Sequence, residues 1–338
     1  CSLFPVQIGS MLFRQIMFFF VDAESDPLPD SHLSDSPSDS ETIPATPLVS
    51  GFTIKEELGR GTFAAVYKAT EDEIGQRTVV IKIGKFGGGE ADTLGRLCHH
   101  NIVPIYSLTT DLDGISVMCM PYLGRETLRN KLTELRYLSY SNLLPDILKQ
   151  SPPDSATTAK HSQQFTIPRV VWTSHDALLR GLKYATEIAA ALTYAHAERV
   201  LHLDLKPSNI MVTDKDQALL LDFNLAHNAL HNAQPSGGTL TYMSPEQIEK
   251  VVLKENSIVL DHRSDIYSLG VLLFEMFYGK LPFNAFGPQQ SLFQTGHVLR
   301  KQQADRSLKS GSECNNVPAR LRSLITRCLA FDRDDRPG

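Results

Sequence analysis

The most informative segment of the sequence is His202-Leu203-Asp204-Leu205-Lys206-Pro207-Ser208-Asn209, followed further along the chain by Asp222-Phe223-Asn224. Two carboxylates lie 18 positions apart (222 − 204), with a lysine and an asparagine between them. Carboxylate and amide oxygens are hard ligands that suit Mg²⁺, and a carboxylate can accept the proton of a hydroxyl group. The stretch therefore predicts a site that holds a metal-bound polyphosphate and deprotonates a hydroxyl. A lone aspartate here would more simply be a turn residue or a helix cap.

The composition of the 338 residues is that of an ordinary globular protein, with 42% hydrophobic and 21% charged residues. A chain of this length can bury a sizeable core. The net charge of −5, with no dominant basic patch, predicts that the protein does not bind nucleic acid. Its five cysteines are scattered and form no Cys-x-x-Cys pair, which argues against a zinc site or a disulfide framework. We therefore expect reduced thiols and a cytoplasmic location.

The N-terminal part of the chain differs from the rest. Residues 1–21 form an apolar tail. Its apolar run, Met11 to Val21, is broken by Arg14 and Gln15 and is shorter than the roughly 20 apolar residues of a membrane span. Residues 22–50 are rich in Ser, Asp and Pro, which predicts a disordered linker before a folded domain at 51–338. Because the chain opens with Cys1 and stops abruptly at Gly338, we expect a fragment of a longer protein. Membrane anchoring through segments outside this chain stays open.

The pattern of apolar residues divides the domain into two lobes. Short β-branched segments predict antiparallel strands at 52–58, 64–70, 78–83, 102–108 and 115–122. Helical spacing predicts a short helix at 90–97 and longer ones at 178–199, 265–278 and 318–329. The prediction is an α+β fold with a small antiparallel β-rich N-lobe at 51–122 and a larger helical C-lobe at 123–338. A polar insertion at about 133–174 interrupts the C-lobe, and loops of this length are usually functional or disordered.

Each of three N-lobe motifs, taken alone, also has a purely structural interpretation. In Leu58-Gly59-Arg60-Gly61 the glycines let backbone N–H groups approach phosphate oxygens, although an ordinary hairpin turn has the same pattern. Val79-Val80-Ile81-Lys82 ends a β-branched run on a lysine, which would usually be a surface residue. Residues 118–128 could be a buried strand entering a turn.

Taken together and in order, the motifs from 52 to 337 resemble the protein kinase superfamily, in the style of bacterial (eukaryotic-like) serine/threonine kinases. The resemblance implies a two-lobed protein kinase fold whose final helix lies beyond the end of this chain. It implies ATP and Mg²⁺ as cofactors and proteins as substrates. In this reading Asp204 is the catalytic base, and Lys206 neutralises charge on the transferred phosphoryl group.

The resemblance also assigns the binding residues. Lys82 would contact the α- and β-phosphates, while Asn209 and Asp222 would hold Mg²⁺. Met120 would gate the back of the adenine pocket, and Leu123 would offer its backbone to the adenine. The full set of expected ATP-binding residues is Leu58, Gly59, Gly61, Val66, Val80, Lys82, Glu90, Met120, Leu123 and Met211. Three residues are expected to be structural supports: Glu246 paired with Arg336, and Asp265 holding the backbone of the catalytic loop.

Several positions depart from the family pattern. Lys82 and its expected partner Glu90 are only eight positions apart (90 − 82), with three glycines at 87–89 between them. Other residues replace the usual glycine, alanine, arginine and glycine at Ala64, Val80, Leu203 and Asn224. The missing arginine at Leu203 predicts activity without a phosphate on the activation segment, whose candidate sites are Ser236, Thr239 and Thr241.

Three functions follow from this sequence. The first is an active protein serine/threonine kinase, and the second is a pseudokinase that serves as a nucleotide-binding scaffold or interaction module. The departures listed above favour the pseudokinase, whereas retention of Lys82, Asp204, Asn209 and Asp222 favours the active enzyme. The third, a small-molecule kinase, is disfavoured because residues 238–246 resemble the end of an activation segment that forms a ledge for peptides.

Overall fold

The computed structural model describes residues 49–60, 64–84, 95–111, 114–134, 175–223, 240–283, 291–305 and 317–338. The predicted tail, almost all of the linker and most of the polar insertion therefore lie outside the described residues. So do Gly61, Glu90 and Asn224, and so do the candidate phosphorylation sites Ser236 and Thr239.

The N-lobe is one antiparallel sheet of five strands: β1 (Phe52–Arg60), β2 (Ala64–Glu71), β3 (Arg77–Gly84), β4 (Ser107–Thr110) and β5 (Ser116–Pro121). The strand order is β1-β2-β3-β5-β4. Side chains alternate between the two faces, so that Tyr67, Val79 and Ile81 form a small apolar cluster on one of them. Val49 packs against this cluster, although the sequence placed it in the linker.

The strand predicted at 102–108 is wrong in its first half. The ladder begins only at Ser107, and Ile102 forms a parallel bridge to Leu220 in the other lobe. The Val103 N–H donates to the Leu220 carbonyl at 3.0 Å, and the Leu220 N–H donates to the Asn101 carbonyl at 2.8 Å. Ile102 and Val103 belong to the C-lobe core, which explains why an apolar run typical of a strand does not join the N-lobe sheet.

The described part of the C-lobe contains four main helices: α1 (His175–Ala197), α2 (His262–Tyr278), α3 (Leu292–Ala304) and α4 (Ala319–Cys328). A small antiparallel ladder, β6 (Ile210–Val212) with β7 (Ala218–Leu220), lies between α1 and α2 in the chain. Residues 128–134 are also helical, so residues 133 and 134, which were predicted to belong to the insertion, belong to this helix. Residues 95–96 form a turn where the end of the helix at 90–97 was expected.

Helix α2 lies at the centre of the C-lobe, and nearly every one of its residues is buried. It begins three residues earlier than predicted because the Asp261 side chain caps it by accepting a hydrogen bond from the Arg263 N–H. It ends at Gly279, which adopts the left-handed conformation (φ +66°) common after helices. Asp265 therefore lies one turn inside the helix and not at its start.

The predicted two-lobed α+β fold is confirmed. Helix α3 and the β6–β7 ladder are additions that the apolar pattern did not predict. Within the described ranges, no helix is both long enough and apolar enough to span a membrane.

Candidate active site

The catalytic loop, residues 202–209, is organised around the carboxylate of Asp204. The Lys206 ammonium group lies 2.9 and 2.7 Å from its two oxygens. The Asn209 amide nitrogen donates at 2.9 Å to one carboxylate oxygen and at 2.8 Å to the Asp204 carbonyl. The Asp204 side chain is still 24% exposed. It is thus fixed by two donors yet accessible to a hydroxyl that approaches through the cleft.

A buried carboxylate, that of Asp265, binds the backbone just before Asp204. Asp265 has no exposed surface, and it accepts hydrogen bonds from the His202 N–H at 2.8 Å and the Leu203 N–H at 2.7 Å. Its carboxylate also contacts the His196 ring nitrogen at 2.8 Å. Burial alone would raise the pKa of Asp265, but His196 and the backbone donor hold this pKa below its ordinary value. Asp265 is therefore a charged anchor for the loop.

Leu203 has an unusual backbone conformation. Its φ of +60° lies in the left-handed region, which costs an L-residue with a side chain roughly 1–2 kcal/mol. The Leu203 side chain is buried, and so is the Asp265 carboxylate that binds its N–H group. Such a conformation persists only where the surrounding structure fixes it.

The second acid of the motif lies between the lobes. Asp222 follows β7, and its carboxylate is 2.7 Å from the ammonium group of Lys82 on β3. The Leu221 N–H donates to the Asn209 carbonyl at 2.9 Å, which places the segment before Asp222 beside the catalytic loop. The structure thus pairs Lys82 with Asp222, and a backbone hydrogen bond links the segment before Asp222 to Asn209, which itself contacts Asp204.

The donor set at this end suits a magnesium ion that is shared with a phosphate ligand. In the described part of the chain, no group of three or more His, Cys, Asp or Glu side chains could hold a metal by itself. Asn209 and Asp222 offer two oxygen ligands, and Mg²⁺ in proteins is commonly held by one or two side chains plus substrate phosphates. The residues therefore fit Mg²⁺ in the company of a polyphosphate.

A cavity of about 370 Å³ opens between the sheet and the C-lobe beside these groups. Its walls are mainly apolar, and Lys82 and Asp222 are among the charged residues that line it. Every expected ATP-binding residue that the structure describes lines it: Leu58, Gly59, Val66, Val80, Lys82, Met120, Leu123 and Met211. Gly61 and Glu90 lie outside the described residues.

Sequence reasoning missed several residues of this cavity. Val103, Thr127, Ser208 and Leu221 line it as well. Ser208 and Leu221 are direct neighbours of predicted site residues, so adjacency could have indicated them. No local signal marked Val103, because its place in the cavity depends on its pairing with β7.

Deeper in the C-lobe, Glu246 and Arg336 form a buried two-point ion pair with N···O distances of 2.6 and 2.9 Å. The Ser264 hydroxyl donates to Glu246 at 2.8 Å. Burial alone would raise the pKa of Glu246, but Arg336 and Ser264 hold this pKa below its ordinary value. The Arg336 guanidinium also donates to the carbonyls of Ala330, Arg263 and Phe331. This pair joins three segments. Glu246 lines a different cavity, of about 440 Å³, which shares no lining residue with the cavity of the cleft.

Comparison with known proteins adds independent information. The family model described as "Protein kinase domain" matches residues 156–338, more than half of the chain. A probable serine/threonine-protein kinase of Clostridium acetobutylicum is 28% identical over 306 residues, which cover 86% of this chain and 38% of the relative. A putative serine/threonine-protein kinase of Mycoplasma pneumoniae is 32% identical over 167 residues, covering 45% of this chain and 42% of the relative. A probable serine/threonine-protein kinase of Bifidobacterium longum is 26% identical over 316 residues, covering 88% and 35%. The chain thus spans well under half the length of each of these three relatives.

Proposed function

The chain belongs to the protein kinase family, and on that premise we propose that it transfers the γ-phosphate of Mg²⁺-bound ATP to serine or threonine hydroxyls of proteins. One observation carries the proposal: Lys82 and Asp222 pair at the charged end of a largely apolar cavity, and the Asn209 carbonyl binds the backbone just before Asp222 while the Asn209 amide binds Asp204. Phosphoryl transfer requires mainly positioning and electrostatic stabilisation, and these four groups supply both.

The cavity provides the nucleotide site in this proposal. Its apolar walls, with Val80 and Met211 among them, suit the flat face of a purine. Leu123 lies just after strand β5 and offers backbone groups to the edge of the base. Lys82 lies where it can contact phosphate oxygens, since its ammonium group already binds the Asp222 carboxylate at 2.7 Å.

The chemistry follows from the donors around Asp204. A substrate hydroxyl near this carboxylate gives up its proton to it while the oxygen bonds to the γ-phosphorus and the bond from that phosphorus to ADP breaks. Lys206, 2.7 Å from Asp204, offers positive charge to the transferred group. Asn209 and Asp222 would hold Mg²⁺, which when bound neutralises charge on the phosphates.

The acceptor class and the location are proposals of the same kind. The relatives named as serine/threonine kinases support a serine or threonine acceptor. Lys206 together with Gly238-Thr239 supports the same acceptor class. Protein substrates and a cytoplasmic location for this domain follow from the same likeness. The chain spans only 35–42% of the length of these relatives. The proposed substrates and partners are therefore those of this domain alone.

The test is transfer of labelled γ-phosphate from ATP to the protein itself and to a generic protein substrate, with and without Mg²⁺. Asp204→Asn removes the proposed base, and Asp305→Asn is a matched control at an exposed carboxylate after α3. We expect Mg²⁺-dependent label on serine or threonine with the wild type and with Asp305→Asn, and none with Asp204→Asn. A folded wild type that incorporates no label would support the pseudokinase.

A further inference from the structure

Residues 244–247, Ser-Pro-Glu-Gln, form a helix capping box in an unusual place. The Ser244 hydroxyl accepts a hydrogen bond from the Gln247 N–H at 3.3 Å, and the Gln247 side-chain oxygen accepts one from the Ser244 N–H at 3.0 Å. A capping box satisfies backbone donors at a helix start. Here both residues have no exposed surface, and only three α-helical residues follow before the backbone widens into a π-turn at Ile248–Val252. Capping so short a helix does not account for a fully buried glutamine.

The other half of the Gln247 amide points to a second role. Its nitrogen donates at 2.8 Å to the Leu203 carbonyl, 44 positions away in the catalytic loop. The Leu203 N–H donates to Asp265 at 2.7 Å. Both backbone polar groups of Leu203 are thus bound by buried side chains, which come from two different segments of the C-lobe.

This double attachment explains how Leu203 keeps its left-handed backbone. A bulky residue with φ of +60° remains there only where its surroundings fix it. The Leu203 carbonyl and the Asp204 nitrogen belong to one planar peptide unit. A hydrogen bond that fixes this carbonyl therefore fixes the plane from which the Asp204 side chain projects.

We propose that Gln247 is a positioning residue for the phosphoryl-transfer reaction, because it sets the Leu203–Asp204 peptide and thereby the direction of the Asp204 carboxylate. The inference rests on the proposed function and deepens it. It also gives a physical link between the segment at 240–247 and the catalytic loop: a displacement of Gln247 would release the peptide that carries the proposed base.

Two variants test the donor without removing the whole side chain. Gln247→Met fills the same space and loses both polar contacts. Gln247→Glu keeps an oxygen for the Ser244 N–H, as in an ordinary capping box, but its carboxylate has no N–H for the Leu203 carbonyl. Leu324→Val, in the buried face of α4, is a control that loosens the C-lobe core away from the catalytic loop.

For each protein we would measure kcat, KM for ATP, the thermal midpoint, and hydrogen exchange of peptides that cover residues 200–206. We expect kcat of both Gln247 variants to fall by about tenfold or more with KM for ATP within about threefold, since small misplacements of a catalytic group act on the chemical step. Exchange in 200–206 should rise in both. Leu324→Val should lower the thermal midpoint while kcat and this exchange stay at wild-type values.

Other results overturn the proposal. A kcat within about threefold of the wild type for folded Gln247→Met or Gln247→Glu would do so, as would an equal loss of kcat in Leu324→Val. Failure of both Gln247 variants to fold would assign the residue a purely structural role. Absence of transfer by the wild type would instead overturn the proposed function and this inference together.

Discussion

Two ion pairs of this protein differ in how far they are buried and in what surrounds them. Lys82 and Asp222 join the two lobes through an N···O contact of 2.7 Å, and their side chains are 12% and 30% exposed. Arg336 and Glu246 lie inside the C-lobe, where their side chains are 0% and 10% exposed and two N···O contacts of 2.6 and 2.9 Å join them. The first pair lines the cavity of the cleft, whereas the second binds backbone carbonyls and a serine hydroxyl.

The difference separates residues that serve chemistry from residues that serve the fold. In a partly exposed ion pair at a cavity, either residue can exchange its partner for a ligand, because water or ligand groups replace the lost contact. A buried pair has no such replacement, so removal of one partner leaves an uncompensated charge in the core. Loss of the first pair should therefore affect activity, and loss of the second should affect stability.

The largest effect should come from Arg336→Met. It leaves Glu246 buried and unpaired, which typically costs about 3–5 kcal/mol of unfolding free energy. Urea unfolding followed by circular dichroism measures the loss. Glu246→Gln combined with Arg336→Met removes both charges and should recover part of it. A loss below about 1 kcal/mol for Arg336→Met would mean that the pair is not a support of the fold.

Lys82→Met should have the next largest effect, and this effect should be on activity and not on stability. Removal of one group that stabilises charge during the reaction lowers kcat by about 10²–10³-fold. The thermal midpoint should stay within about 3 °C of the wild type, since that shift corresponds to roughly 1 kcal/mol in a domain of this size. Lys55→Met, at an exposed position of β1, is the matched control and should change neither quantity. A large fall in the thermal midpoint of Lys82→Met would erase the contrast between the two pairs.

The pH dependence of stability sharpens the comparison further. Burial alone would raise the pKa of Glu246, but Arg336 and Ser264 hold it below the ordinary value of 4.5. An acid whose pKa is lower in the folded state stabilises the fold above pH 4.5 and loses this contribution as the pH falls through the folded-state pKa. Urea midpoints of the wild type should therefore fall on acidification below pH 4.5. The double variant Glu246→Gln/Arg336→Met should fall less steeply, and identical profiles would contradict the assignment.

The smallest effect should come from a third pair at the mouth of the cavity. Arg125 contacts Glu56 of β1, and its side chain is 62% exposed. Many such surface pairs contribute nothing measurable, so Arg125→Ala should change KM for ATP by less than about threefold. Steady-state kinetics at low and high salt measure this. A much larger change would show that the exposed pair, like Lys82 and Asp222, takes part in nucleotide binding.

The catalytic loop could be predicted because its chemistry is local. Asp204, Lys206 and Asn209 lie within six positions, and a short loop brings their side chains to one carboxylate. The roles of Asp265 and of the Glu246–Arg336 pair were expected only through resemblance to a family. Glu246 and Arg336 are 90 positions apart in the sequence, so no local pattern links them. Their contacts with the loop and with each other match that expectation, while their roles stay predictions until they are tested.

The failures have identifiable physical causes. Ile102 and Val103 are β-branched residues typical of strands, but they pack in the core of the C-lobe and not in the N-lobe sheet. Helix α3 has few buried residues, Thr295, Gly296, Leu299 and Gln303, so it lacks the apolar stripe that reveals a helix. Its capping box, Ser291 with Gln294, was the available signal. The contact of Gln247 with Leu203 spans 44 positions and has no local signature.

The role of Asp204 in phosphoryl transfer is tested by comparing ATP binding and phosphate transfer in the same two samples, wild type and Asp204→Asn. Calorimetry with Mg²⁺ and ATP measures binding, and rapid quenching with labelled ATP measures transfer. We expect dissociation constants within about threefold of each other and transfer by the wild type alone, because Asp204 acts on the hydroxyl and not on the nucleotide. Binding of ATP by a folded wild type without transfer to itself or to a protein substrate would contradict the proposed kinase activity.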